Sequence, residues 1–291
     1  MSKQDKFQDQ AAVSSFNSDP HPSPSLQGES WLAEGGVSPW VFQYRVLKAL
    51  VLRLIASEYG NYRLGYLIGI IFPIISMVAM IALFGLRGKI IQTDFSIDVF
   101  VITGYPLWQA FIGMYNKVLK SSSKSDSLLM FPQITQLDLI AANVIVFFAS
   151  QTVIFVILCV GVIVLTHSPP PGDPLGVLFC FWGCMWIGLS VGLLLCPLQR
   201  GWPLVINFIN TFLRFGMWVS GVIFTINRLP GFLRPYLAWN PILHCIEGAR
   251  ALWNPAFIAP IFNPTYVILI GFVLVTAGLV AERLSRKLVG S

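Results

Sequence analysis

His244, Glu247 and Arg250 stand three residues apart in the stretch Asn240-Pro241-Ile242-Leu243-His244-Cys245-Ile246-Glu247-Gly248-Ala249-Arg250. On a helix this spacing gathers an imidazole, a carboxylate and a guanidinium within about a third of the circumference. A His–Glu pair so placed can hold a metal ion or relay a proton. The chain offers few further ligands, since its other histidines are His21 and His167. No metal site of usual spacing follows. No Ser-His-Asp or Cys-His set follows either, so no catalytic residue is assigned. The expected role is an ion pair that fixes the segment. Cys180 and Cys184 share a helix face, but they read better as small residues at a helix contact than as a metal pair. Cys159, Cys180, Cys184 and Cys196 lie in apolar runs and only Cys245 lies elsewhere, which is no disulfide framework.

Arg214 is the single charge in residues 202–227. A mid-membrane cation is costly unless it faces a cavity, a partner helix or water. Contact with an anionic substrate group and bonding to nearby carbonyls are equally open readings. Tyr105, Trp108, Trp182, Trp186 and Trp218 fall in or near apolar runs. Aromatic faces stack on sugar C–H groups, although interfacial belts and helix packing are the default. Tyr105, Trp108, Arg214 and Trp218 form the candidate substrate path. No GxxxxGK[ST] loop is present, and Gly35-Gly36 and Gly60 lack the strand and lysine such a loop needs. The chain alone is not expected to hydrolyse ATP.

These residues sit in a chain built for lipid. Residues 64–86, 99–116, 139–166, 174–199 and 251–281 carry no Asp, Glu, Lys or Arg. A helix that crosses a bilayer needs ~20 mostly apolar residues. The composition, 55% hydrophobic and 11% charged, is that of a polytopic membrane protein. The fold expected is an all-α membrane protein with six transmembrane helices. They run at about 64–86 (kinked at Pro73), 99–116, 139–166, 175–196, 204–225 and 266–281. Outside them are an N-terminal amphipathic interfacial helix and an outer re-entrant segment before the last span. Residues 168–174 make an outer turn and 197–203 a short inner turn. Gly65/Gly69 and Gly188/Gly192 permit close helix approach. Scarce acidic residues in the spans argue against an ion-coupled carrier.

Cations set the orientation. Thirteen Lys and Arg fall in 1–63, 117–124, 200 and 283–287, against five on the other side: Arg87, Lys89, Arg228, Arg234 and Arg250. The positive-inside rule puts both termini in the cytoplasm. No compact basic patch suggests nucleic acid. Residues 1–39 have the composition of a disordered tail. On a helix over 40–59, Trp40, Tyr44, Leu47, Leu50, Val51, Leu54 and Ile55 share one face, and Arg45, Lys48 and Arg53 lie on the other. This pattern predicts a helix lying in the cytoplasmic membrane surface. The inner connection 117–138 opens polar and turns amphipathic. The outer connection 228–264 is too apolar at 237–253 for a solvated loop, which predicts re-entrant or interfacial helices.

Three segments together resemble the membrane subunit of ABC-2-type exporters, in the capsular polysaccharide branch. The first is Tyr59-Gly60-Asn61-Tyr62-Arg63-Leu64-Gly65-Tyr66 with Pro73. The second is Leu128-Leu129-Met130-Phe131-Pro132-Gln133-Ile134 with Asp138 and Ala141-Ala142. The third is the Asn240–Arg250 stretch, similar to the family's NPxxHxxExxR element. The chain departs from the family pattern at Glu58, Ile68, Phe72 and Asn143. The resemblance covers 40–287. It implies two copies of this chain paired with two ATP-binding cassette subunits that bind the ATP and Mg, so this chain needs no cofactor of its own. It places Arg45, Lys48, Arg53, Tyr59, Gly60, Arg63, Gly65 and Tyr66 where the interfacial helix enters the first span. Lys124, Leu129, Phe131, Pro132, Ile134 and Asp138 belong to a loop that couples to the ATPase. Asn240, Pro241, His244, Glu247 and Arg250 belong to the periplasmic re-entrant element. The implied substrate is lipid-linked capsular polysaccharide, extruded across a bacterial inner membrane and passed to periplasmic and outer-membrane proteins. Rival readings are an O-antigen or teichoic-acid exporter, a small-molecule exporter, and a membrane-embedded transferase using His244 and Glu247.

Overall fold

The computed structural model describes residues 39–59, 65–86, 96–123 and 135–289. Residues 1–38, Gly60, Arg63, Lys124, Leu129, Phe131, Pro132 and Ile134 lie outside the described residues. The chain divides into two units, Met1–Arg45 and Val46–Ser291. Of the first, the description covers 39–45, the opening turns of α1 (Pro39–Tyr59), where Arg45 is exposed. In the second, α1 continues with Leu50 buried, Leu47, Val51 and Leu54 half-buried, and Lys48, Leu52, Arg53 and Ile55 exposed.

Every regular element among the described residues is helical. α2 (Gly65–Leu86) opens on Gly65 and Tyr66 and carries Pro73 within it. α3 (Ile97–Ser123) starts on Asp98 and keeps Lys120 in its last turn, matching charge to the helix dipole at both ends. It runs past Asn116, so the polar start of the inner connection is helix rather than loop. Val118 and Leu119 are buried there, which holds the added turns in place. α4 (Gln136–Thr166) ends at His167 in a left-handed conformation. α5 (Pro174–Gly201) is capped by Asp173, whose Oδ1 accepts from Gly176 N–H at 3.0 Å. It continues through Pro197, where a turn was expected. Proline is tolerated there because neighbouring helices support the backbone, and Cys196 is buried beside it. The break comes at Trp202, and Pro203 opens α6 (Pro203–Val219). α6 stops at Val219 rather than near Thr225, because Gly221 adopts φ +80°. The short α7 (Arg234–Leu237), α8 (Pro241–Trp253) and α9 (Pro264–Val289) complete the chain.

Among the described residues, four helices have the length and hydropathy to cross a membrane: Ile97–Ser121, Gln136–Thr166, Pro174–Gln199 and Pro264–Ser285. α2 runs 22 residues without a charged side chain, and α6 has 17 residues. α5 is central, with α3, α8 and α9 packed along it. Gly188 and Gly192 make this possible. A side chain on Gly188 would overlap the Phe111 carbonyl, and one on Gly192 would lie 2.8 Å from Val118 Cβ. The apolar window of α3 is 67% buried and that of α9 only 17%, so α3 belongs to the core and α9 to the rim. At one end of the bundle the turn 167–173 docks on the end of α8. Gly172 N–H donates to Trp253 O (3.1 Å), Asp173 N–H to Leu252 O (2.9 Å), and Trp253 Nε1–H to Pro169 O (3.1 Å). Asp98 Oδ2 accepts from Thr166 Oγ1 (2.6 Å) and from Ser168 Oγ, tying α3 to the same turn.

Candidate functional site

α8 is built around polar side chains that its sequence spaces along one helix. Asn240 caps it, with Oδ1 accepting from Ile242 N–H at 3.0 Å and Nδ2 donating to Ser220 Oγ at 2.9 Å. Pro241 fills the first helical position, where no backbone donor is needed. His244 Nδ1 accepts from Asn263 N–H (3.3 Å), so the proton sits on Nε2, which donates to Ala238 O (2.8 Å). Its ring lies 4.8 Å from that of Tyr266. Both ring nitrogens are therefore engaged.

Glu247 and Arg250 are fully buried and paired at 3.0 Å. Glu247 Oε1 also accepts from Ile226 N–H (3.3 Å), and Arg250 Nη1 donates to Phe224 O (2.9 Å). The guanidinium lies over the Phe100 ring, 4.1 Å from its centroid. Gly104, one turn along α3, leaves the space: a Cβ there would come within 3.2 Å of Arg250 Nη2. The pair thus joins α8, α3 and the non-helical segment after α6. A buried charge left without its partner costs several kcal/mol, so such a pair holds its surroundings in one arrangement. The sequence pointed to His244, Glu247 and Arg250 but not to their receptors, Phe100, Gly104 and the backbone of Phe224 and Ile226. The only sequence signal was the i, i+4 spacing of Phe100 and Gly104.

α6 contrasts with this. Asn207, Thr211, Arg214 and Trp218 recur at i, i+4, i+7 and i+11, which places them in one line, and all four are exposed. Arg214 makes no hydrogen bond or ion pair among the described residues. The opposite side of α6 faces the bundle: Ile206 is buried, Asn210 Oδ1 accepts from Tyr115 OH (2.7 Å), and Gly216 meets the Trp108 ring. Trp108 is 4% exposed and Trp218 55%. The four residues expected along a substrate path are therefore not brought together. Arg214 and Trp218 share the exposed line, and Trp108 packs behind it. Tyr105 accepts from Gln109 Nε2 (2.9 Å) and lines a separate cavity among α2, α3, α4 and α5. Asn207 and Thr211 were missed, although their spacing was readable.

At the other end of α4, Asp138 completes a capping box. Its Oδ2 accepts from Thr135 N–H (3.0 Å) and Thr135 Oγ1 (2.7 Å), and its own N–H donates to Thr135 Oγ1 (3.3 Å). The carboxylate thus fixes where α4 begins.

The sequence profile of ABC-2 type transporters matches residues 45–253, ending on the last residue of α8. The chain belongs to the ABC-2 type transporter family. This ABC-2 protein is 26% identical over 254 residues to the capsule polysaccharide export inner-membrane protein CtrC of Neisseria meningitidis, covering 84% of this chain and 93% of the relative. It is 23% identical over 243 residues to the polysialic acid transport protein KpsM of Escherichia coli, covering 81% and 92%. It is 23% identical over 212 residues to the capsule polysaccharide export inner-membrane protein BexB of Haemophilus influenzae, covering 72% and 78%. The ABC-2 match includes Arg214, the exposed line of α6 and the whole of α8.

Proposed function

We propose that this chain is the permease subunit of an ABC exporter that extrudes lipid-linked capsular polysaccharide across the bacterial inner membrane. ATP hydrolysis takes place on a separate nucleotide-binding subunit. The observation that carries this reading is the likeness to three capsule and polysialic acid transport proteins over most of their length. The exposed line on α6 supports it. A cation and an indole left uncovered on an otherwise apolar helix suit a path for a polymer that carries acidic groups and sugar C–H faces. Engagement of both His244 nitrogens and pairing of Glu247 favour an exporter over a transferase that would need a free base.

In this reading α2, α3, α4, α5, α6 and α9 are the six spans and both termini are cytoplasmic. α8 is the periplasmic re-entrant helix. At ~1.5 Å per residue α6 is about 25 Å long, short of a hydrocarbon core of about 30 Å. The segment 220–226 completes its depth. Non-helical backbone is tolerated at that depth when protein covers it, and Ser220, Val222, Thr225 and Ile226 are buried. Two copies enclose the path, and the loop 124–134 carries motion from the ATPase into α3 and α4. Periplasmic and outer-membrane proteins receive the polymer.

The test is Phe131→Asp in the inner loop. The variant is expected to insert at wild-type levels while ATPase capture in a pull-down and surface capsule both fall. Full ATPase capture with normal capsule would show that this loop does not couple the subunits. Topology is checked separately by a cysteine at Gly172, which should label from outside intact inner membranes.

A further inference from the structure

Residues of α2, α3, α4 and α5 line a half-open cavity of about 220 Å³. Gln109 and Gln151 both line it. Gln109 lies near the middle of α3, and Gln151 is the central residue of α4. They therefore line the cavity midway along the two helices. Tyr105 and Ser76 add hydroxyls to the same wall. The Tyr105 hydroxyl accepts from Gln109 Nε2 at 2.9 Å, whereas the Gln151 amide has no hydrogen-bond partner among the described residues. Aromatic rings supply much of the rest: Phe72 from α2, and Phe155 stacked on Phe181 at 4.1 Å and 7°. No charged side chain lines the space.

Most of this wall is apolar, but its two amides and two hydroxyls set it apart from a space built for an acyl chain. A primary amide opposite hydrocarbon leaves two donors and an acceptor unmet, which lipid cannot supply. A second cavity shows what a lipid-compatible space in this protein looks like. It lies among α5, α8 and α9, measures about 290 Å³, and is lined by Phe179, Trp182, Trp186, Val267 and Phe272 with no amide or hydroxyl side chain. The Gln109–Gln151 cavity is large enough for water and has the two to four polar partners that water needs. Amides and hydroxyls both donate and accept, as sugar hydroxyls do, and the aromatic faces match sugar C–H faces. Ligand sites commonly combine apolar walls with a few placed polar groups in this way.

We propose that this cavity is a hydrated subsite for one uncharged sugar ring of the exported polymer, with hydroxyls bonded to Gln109, Gln151 and Tyr105. The inference rests on the polysaccharide-exporter reading. It differs from the Arg214 line, which suits an acidic group.

The experiment places a cysteine at Gln151 in the full-length chain, assembled with its ATPase in cells, with the wild-type chain as the control for native thiols. A charged, water-soluble methanethiosulfonate is expected to modify Gln151→Cys. Modification by an apolar maleimide alone would mean a lipid-filled crevice and would overturn the subsite. In cells that synthesise the polymer, modification should slow severalfold relative to cells that do not. Equal rates in both would remove the sugar as occupant. Gln151→Leu should lower export about tenfold with the membrane level unchanged, as expected for one lost hydrogen bond. Gln151→Asn should keep part of it, and full export by Gln151→Leu would count against the proposal. Restoration of capsule by the wild-type chain tests the exporter reading on its own. Its failure would leave the solvent-accessibility result standing.

Discussion

α8 and α6 treat polar residues in opposite ways. Over 13 residues, α8 gives each of Asn240, His244, Glu247 and Arg250 a partner within the chain and buries the last two completely. Over 17 residues, α6 leaves Asn207, Thr211, Arg214 and Trp218 exposed in a line. Among the described residues, only the Thr211 side chain of these four is bonded within the helix, its Oγ1 donating to Asn207 O at 3.0 Å. Both helices sit in a protein whose surroundings penalise unpaired polar groups. A polar group answered within the fold is holding the fold. One left open in such a chain is waiting for something outside it, whether water, a second copy or substrate. The two meet at 220–226, where the α8 pair grips the backbone that ends α6.

The largest effect should come from breaking the α8 pair. Arg250→Ala leaves Glu247 buried and uncompensated, at a cost of about 3–5 kcal/mol. Folded protein recovered in detergent should drop steeply, and a double change of Glu247 and Arg250 to apolar residues should recover much of it. A single variant as heat-stable as wild type would show that α8 is held by other contacts.

The tryptophans separate the two behaviours next. Trp108→Ala removes a buried ring packed on Gly216 and should cost about 3–5 kcal/mol of stability. Trp218→Ala should change stability by less than about 0.5 kcal/mol, as for surface positions, yet reduce export. Melting curves and capsule assays on the same samples would decide, and the reverse pattern would dissolve the distinction.

Arg214→Gln should leave abundance and ATPase association intact. Export of an acidic polymer should fall about tenfold, the scale of one charge-assisted hydrogen bond. Arg214→Lys should retain most of the activity. Loss of folded protein in Arg214→Gln would place this cation with the α8 group instead.

The smallest effect concerns Asn240. Asn240→Ala removes the cap and the bond to Ser220, at about 1 kcal/mol. A lowered melting temperature with normal export is expected. Asp138→Ala at the start of α4 should behave similarly, and normal ATPase capture in that variant would mark Asp138 as a cap rather than a coupling contact.

Much of this arrangement is legible in the chain, because lipid and helix impose simple rules. Charge-free runs locate the long helices, the basic face of α1 and its Leu50 side separate by helical period, and Asn240-Pro241 marks the start of α8. Boundaries were less legible where local punctuation competes with packing. Pro197 reads as a break but is carried inside α5, while α6 stops at Val219 within a continuous apolar run. The capping role of Asp138 was present as Thr135 and Asp138 three apart. The resemblance assigns the same residue to the coupling loop, and a cap is compatible with that role.

By itself the sequence determined that this is a helical membrane protein with three polar residues aligned on a short helix, and its motifs resemble those of ABC-2 exporters. Periodicity and composition suffice for the helical membrane class, since each helix must satisfy its own backbone in lipid; the family came from the motifs. Only the tertiary structure decided which polar residues are answered. Arg250 has Glu247 three residues away as a partner legible in the sequence, and Arg214 has no acidic residue near it, but the receptors that hold the Arg250 pair are not local. Arg250 has Glu247 at 3.0 Å, the Phe224 carbonyl at 2.9 Å and the Phe100 ring beneath it, with room left by Gly104. Arg214 has none of these. Glu247 apart, the difference depends on residues far away in the chain, Phe100, Gly104 and Phe224, brought close by helix packing, and that is information a single segment does not hold.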